Sequence, residues 1–194
     1  MSEMITIDTG SNTLQSENIE PLMIHDDNLP LLHQSIPEFT GQLPNPSVTR
    51  LIRQLTLTRK MYAGLGLSAN QCNIAERIFV IGTDSFDLTC INPKVIDASP
   101  DLQKGREGCL SYPGMYLNVS RASWIVAEFM DENGEVKQMK LDGLTARCYL
   151  HELDHMNGIT FTEHVGPVAL QFAKEKQKKV LKKFERRFKN GVHV

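Results

Sequence analysis

His151-Glu152-Leu153-Asp154-His155 is the stretch whose reading decides the fold and the chemistry. It has the form H-E-x-x-H. Residues four apart on an α-helix lie on one face, one turn apart, so both imidazoles can reach a single metal ion. Glu152 projects beside the first of them, where it can take a proton from water at the metal. Leu144, Cys148, His151 and His155 recur at spacings of 4, 3 and 4, a helical stripe. Asp142 suits an N-cap and Gly158 a C′ position. The spacing therefore predicts a helix from about Gly143 to Asn157 with its ligands on the buried face. Two surface histidines on an ordinary helix is the blander reading. It leaves the agreement of caps, stripe and Glu152 without a cause.

Two histidines do not complete a catalytic site, which has three protein ligands and an open position. Downstream, the metzincin continuation finds Gly158 but then needs a ligand where Phe161 stands, and His164 comes three residues late. A thermolysin-like arrangement would draw on Glu175 or Glu185, in a lysine-rich segment that reads as solvated. Upstream, Glu107-Gly108-Cys109-Leu110-Ser111 is the better source. A small zincin-type metalloprotease stays as the alternative hydrolase. A closed four-ligand structural metal site is the non-enzymatic reading.

Working outward, 194 residues, 41% of them hydrophobic, suit one domain with a core of its own. No run approaches the length of a membrane span. The polar Met1–Glu20 segment lacks the basic start and apolar stretch of a signal peptide. The expectation is a soluble monomer, cytoplasmic or in an organellar or viral equivalent, with no membrane partner. None of Cys72, Cys90, Cys109 and Cys148 forms a C-x-x-C pair, so disulfides are not expected. Three of these read as small buried hydrophobes and Cys109 as the exception. Residues 168–189 hold nine Lys/Arg and two Glu, a balance of +7. The remainder has 12 Lys/Arg against 21 Asp/Glu, a balance of −9. This is an acidic body with a basic C-terminal helix.

Three parts follow from the pattern: a loose segment 1–20, a catalytic domain 21–166, and a basic helix and tail 167–194. Residues 21–47, with five prolines, read as extended, turn-rich chain. Ser47 could cap a core helix to about Tyr62, with Val48, Leu51, Leu55 and Thr58 or Arg59 inward. Ile78–Ile81 and Leu88–Ile91 read as strands, with Asn92-Pro93 ending the second and Lys94–Asp97 a short third. Pro100–Arg106 reads as a polar connection. Trp124–Met130 and Glu135–Leu141 flank Asp131-Glu132-Asn133-Gly134, a hairpin with an Asn-Gly turn. Strands first and helices last indicate an α+β fold of antiparallel sheets around the H-E-x-x-H helix.

Gly64-Leu65-Gly66-Leu67-Ser68-Ala69-Asn70-Gln71, Glu107–Ser111 and His151–His155, in this order, resemble the three signatures of the peptide deformylases. The likeness covers roughly residues 45–165, and Tyr112–Tyr116 is similar to organellar or phage-type versions. The resemblance implies a metal held by Cys109, His151 and His155. Fe²⁺ is the working metal in the family, with Zn²⁺, Ni²⁺ or Co²⁺ able to replace it. It implies hydrolysis of the formyl group from the N-terminal formyl-Met of nascent polypeptides, releasing formate. Glu152 would transfer the proton, and the Gln71 amide and Leu110 N–H would stabilise the oxyanion. Gly64 and Gly66 would hold the peptide as an added strand. Leu65, Leu110, Leu144 and Cys148 would form the methionine pocket with Arg147 at its rim. Tyr116 and Arg121 fall near the expected groove. Some family members use a C-terminal helix on the ribosome, and 168–189 is the corresponding candidate here.

Overall fold

The computed structural model describes residues 19–83 and 86–189, so most of the expected loose segment lies outside the described residues. Seven strands form two antiparallel sheets. They are β1 Gly66–Ser68, β2 Ile78–Gly82, β3 Asp87–Ala98, β4 Leu102–Gly108, β5 Tyr116–Ala122, β6 Trp124–Met130 and β7 Val136–Asp142. The larger sheet has the order β1-β2-β3-β6-β7, and β4 and β5 make a separate two-stranded ribbon. Three α-helices complete the fold: α1 Pro46–Met61, α2 Gly143–Met156 and α3 Pro167–Lys189.

β2 is buried at every position because helices cover both of its faces. Alternate side chains point opposite ways along a strand. Phe79 and Ile81 join Ile125, Ala127, Phe129, Ala146, Tyr149 and Met156 in a core between the sheet and α2. Ile78 and Val80 join Val48, Leu51, Ile52, Leu55 and Leu67 in a second core under α1. A third cluster, Tyr112, Met115, Leu117, Val119 and Phe161, lies against β5, and Leu170 and Ala173 of α3 pack on it. The α2 helix is thus buried on two sides. Tyr149 meets Phe79 edge-on at 5.1 Å on one side, and the histidines face the other.

Several expectations change in contact with the tertiary structure. Asn45, not Ser47, caps α1: its side chain accepts from the Ser47 and Val48 N–H groups, and Pro46 takes the first helical position. Asn92-Pro93 does not end a strand. β3 runs on for 12 residues, with a register shift between Ile91 and Lys94. A bulge tolerates a proline because the ladder is already interrupted there. Side chains from elsewhere repair the gap. Asn92 accepts from the Phe39 N–H at 2.7 Å and donates to its carbonyl at 2.8 Å, and the Tyr149 hydroxyl lies 2.9 Å from the Lys94 carbonyl. The polar 100–106 stretch is mostly strand, paired from Leu102↔Ala122 to Gly108↔Tyr116. The hairpin has a longer turn than expected. Gly134 N–H donates to the Asp131 carbonyl at 3.0 Å, and Gly134 alone of the turn residues has positive φ, +84°. That is a type I turn closed by a left-handed glycine.

One α1 residue reaches beyond packing. Buried Arg59 donates to the carbonyls of Gly64 at 2.8 Å and Gly82 at 3.0 Å. It ties the glycine loop to the end of β2 and so places the edge of β1.

Candidate active site

α2 delivers His151 and Glu152 to the floor of a cleft of about 550 Å³ and buries His155 one turn further on. The β4–β5 turn delivers Cys109, and the short helix Ala69–Cys72 after β1 delivers Gln71. Ligand atoms of Cys109, His151 and His155 all lie within 4.8 Å of one another. Cys109 Sγ is 3.3 Å from His155 Nε2. The downstream alternatives do not join them. Among the described residues His164 Nε2 pairs with Asp154 Oδ2 at 2.7 Å, Glu175 accepts from Gln171 at 3.2 Å on the exposed face of α3, and Glu185 lies exposed on the same helix.

One thiol and two imidazoles make a donor set suited to a borderline-soft divalent cation. Local geometry fits it. His151 Nδ1 pairs with Glu107 Oε2 at 3.0 Å, which turns Nε2 of the same ring toward Cys109 and His155. Burial, reinforced by His151 and Arg121 nearby, holds the His155 imidazole well below its ordinary pKa, so its ring is neutral with a lone pair to give. Two buried polar atoms at this spot, Glu152 Oε2 and His155 Nδ1, have no hydrogen-bond partner among the described residues.

Glu107 is the functional residue that sequence reasoning passed over, though it sits inside a quoted motif. Its carboxylate is buried and saturated: Arg121 binds both oxygens at 3.0 Å, Arg147 donates to Oε1 at 2.7 Å, and His151 occupies Oε2. Burial alone would raise this carboxyl, but the hydrogen bonds from His151 and Arg121 outweigh it and hold it at about 2. Breaking a buried ion network of this kind costs about 3–5 kcal/mol. Arg121, near the expected groove and open to a purely structural reading, is buried in this network and also reaches Asp154. The signal that could have identified the pair was a lone acid one strand residue from a glycine and a cysteine, with an arginine on the facing strand. Strand pairing is not visible in a single sequence.

Gln71 is oriented by its own turn. Its Oε1 accepts from the Ser68 N–H at 3.1 Å with the Ser68 hydroxyl at 3.0 Å, which leaves Nε2 directed at Cys109 Sγ, 3.4 Å away, and Ser111 Oγ, 3.1 Å away. Asn70 of the same turn donates to the His155 carbonyl at 2.6 Å and locks it to α2. The Leu110 N–H has no internal acceptor among the described residues. Gly64, Leu65, Gly66, Leu110, Arg147 and Cys148 line the cleft as expected. Leu144 also lines it but stands at the mouth, 60% exposed. Burial raises the Cys148 and Cys90 thiols well above the ordinary value and Cys72 to about 12, so these three are inert hydrophobes.

Glu152 is buried, and burial pushes its carboxyl up to about 7, with His151 opposing the shift. Gly66 makes room for it: a Cβ there would stand 2.3 Å from Glu152 Oε1 and 2.7 Å from its Cδ. Gly66→Ala is therefore expected to push Glu152 out of line. A displacement near 1 Å costs on the order of 10²-fold in rate. Turnover should fall on that scale in a protein whose circular dichroism still matches the parent. An alanine variant with parental turnover would contradict the close approach.

A bis-histidine helix turn joined by an upstream cysteine, at the floor of a cleft beside a sheet edge, is the arrangement of a metal-dependent hydrolase. The comparisons make the class specific. The polypeptide deformylase family model matches residues 21–171, and the chain belongs to the peptide deformylase family. Peptide deformylase 2 of Prochlorococcus marinus (strain MIT 9313) is 40% identical over 165 residues, 80% of each chain. Peptide deformylase of Synechococcus sp. (strain RCC307) is 42% identical over 129 residues, 63% of each. The solved peptide deformylase of Synechococcus elongatus, in complex with actinonin, superposes with TM-score 0.76 at 34% identity, covering 81% of this chain and 88% of that one. That of Legionella pneumophila gives 0.78 at 28% identity, covering 86% and 98%. The zincin alternative has no support in these relatives. No helix among the described residues is long and apolar enough to cross a membrane.

Proposed function

We propose that this deformylase holds one divalent metal through Cys109, His151 and His155, with Fe²⁺ the working ion. The convergence of those three ligand atoms within 4.8 Å is the observation that carries the reading. A cation bound there supplies Lewis-acid polarisation of the formyl group and acidifies water beside it. The side chains do the rest. Glu152 takes the water proton and delivers it to the leaving α-amine. Gln71 Nε2 and the Leu110 N–H donate to the oxygen that gains charge. Glu107 keeps the His151 ring in one orientation. The β1 edge at Gly64–Gly66 adds the peptide as a strand. The methionine side chain enters between Leu65, Leu110, Leu144 and Cys148, with Arg147 at the rim. Formate release from a formyl-Met peptide, measured with metal content on the same sample, tests the reading. Cleavage of an unformylated peptide instead would overturn it.

We infer that the catalytic unit spans 21–166, with the basic helix and tail at 167–194, acts as a cytoplasmic monomer, and meets its nascent substrate on the ribosome through 168–189. What supports this is the build of α3. Leu170 and Ala173 pack on the body, Gln177 donates to the Pro113 carbonyl at 3.0 Å, and Val180 lies over Gly114. Leu181 and Phe184, at helical spacing from Leu170 and Ala173, leave the body and are exposed with basic residues around them. A chain ending at Val180 keeps every docking contact and removes Lys182, Lys183, Arg186, Arg187 and Lys189. It is expected to deformylate a free peptide normally and to lose salt-sensitive co-sedimentation with ribosomes. Equal co-sedimentation of both chains would remove the role.

A further inference from the structure

The ribbon β4–β5 carries a cation that the reaction described so far does not use. Arg106 is exposed on β4, and its guanidinium carbon lies 4.0 Å from the centre of the Tyr116 ring. Both residues line the active cleft. Tyr116 faces Gly108 across the ribbon, and a Cβ at Gly108 would stand 2.8 Å from the ring, so the missing side chain lets the ring lie flat on the strand. Arg106 then caps the ring from two residues away on the same strand face. No carboxylate pairs with Arg106 among the described residues. The two carboxylates that line the cleft, Glu107 and Glu152, are both buried at its floor, and the cleft's other cation, Arg147, is tied to Glu107 and to the carbonyls of Gln103 and Val119. The next solvent-facing side chain along β4, Lys104, is also basic. The mouth of the cleft therefore offers one positioned positive charge that no carboxylate of the described residues neutralises.

Its distance from the chemistry sets what it meets. Arg106 precedes Cys109 by three residues, roughly 10 Å of extended chain at about 3.3 Å per residue. An extended substrate held on the β1 edge, in the cleft that Gly64, Gly66 and Arg106 all line, covers that distance by its second or third residue. We propose that Arg106, held by Tyr116, is a specificity-determining residue that favours formyl-Met chains with an acidic side chain at the second or third position. This rests on the deformylase reading above. Arg106 makes the contact, and Tyr116 is a positioning residue that limits where the guanidinium can go. An exposed ion pair typically changes affinity by a factor of about two to five, and an opposed cation works the other way. The ratio of kcat/KM for glutamate over lysine peptides should then be roughly threefold to tenfold at low ionic strength. It should shrink as salt shortens the screening length to about 10 Å and below.

The test uses the full chain with formyl-Met peptides, amidated at the C-terminus, carrying Glu, Gln or Lys at the second or the third residue. Formate release from the Gln peptides establishes the underlying activity separately. The Glu-to-Lys ratio at the more selective position tests the inference alone. Arg106→Gln is expected to bring that ratio near one. Tyr116→Phe should keep the ratio and Tyr116→Ala should weaken it, which a merely structural tyrosine would not do. A ratio near one in the parent protein at both positions overturns the proposal. So does a preference for glutamate that Arg106→Gln retains.

Discussion

Glu152→Gln is expected to lower formate release by about 10²–10⁴-fold or more while leaving bound metal unchanged, the scale of loss for a positioned acid–base group. The carboxylate and the amide have the same shape, so the close approach to Gly66 survives the change. His151 and His155 stay where α2 puts them. What disappears is the ability to take and return a proton at a buried site where Glu152 Oε2 has no other partner. The loss should fall on kcat and kcat/KM alike, because substrate binding does not involve that proton. Near-parental turnover in a metal-replete variant would contradict the assignment. A variant that lost its metal would instead make Glu152 a ligand.

Cys109→Ala is expected to abolish activity by abolishing metal binding. Removing a residue that merely orients a ligand already costs about 10–100-fold in metal affinity, so losing one of three direct ligands should cost more. The fold should persist. Cys109 is half-buried at the end of the ribbon, and the core around Phe79, Tyr149 and Phe129 does not touch it. Metal content per protein and formate release should fall together, with thermal unfolding little changed apart from the contribution of bound metal. Full metal occupancy in this variant would show that the third ligand lies elsewhere.

Much of the site was legible because it is written locally. The i, i+4 spacing of His151 and His155 is a statement about one helix, and Glu152 follows from it. Asn92-Pro93 shows the limit. Local rules read it as a strand end, yet Phe39 and Tyr149, distant in sequence, satisfy the bulge and let β3 continue. The 100–106 stretch failed for a related reason. Its polar residues have weak strand preference, and pairing with β5 over seven residue pairs supplies what local propensity does not.

The sequence by itself determined the α+β class and the H-E-x-x-H helix, and it pointed upstream of that helix for a candidate third ligand. Those depend on periodicity, caps and ligand chemistry, which are properties of neighbours in the chain. The tertiary structure alone decided that Glu107, saturated by Arg121 and Arg147, orients His151, and that Gly66 is a glycine because Glu152 lies against it. It alone decided that α3 docks as far as Val180 and that Arg106 lies over the Tyr116 ring at the cleft, with no carboxylate partner among the described residues. These are contacts between residues tens of positions apart. Their energies come from burial and charge pairing, which exist only once the two sheets have closed on α2.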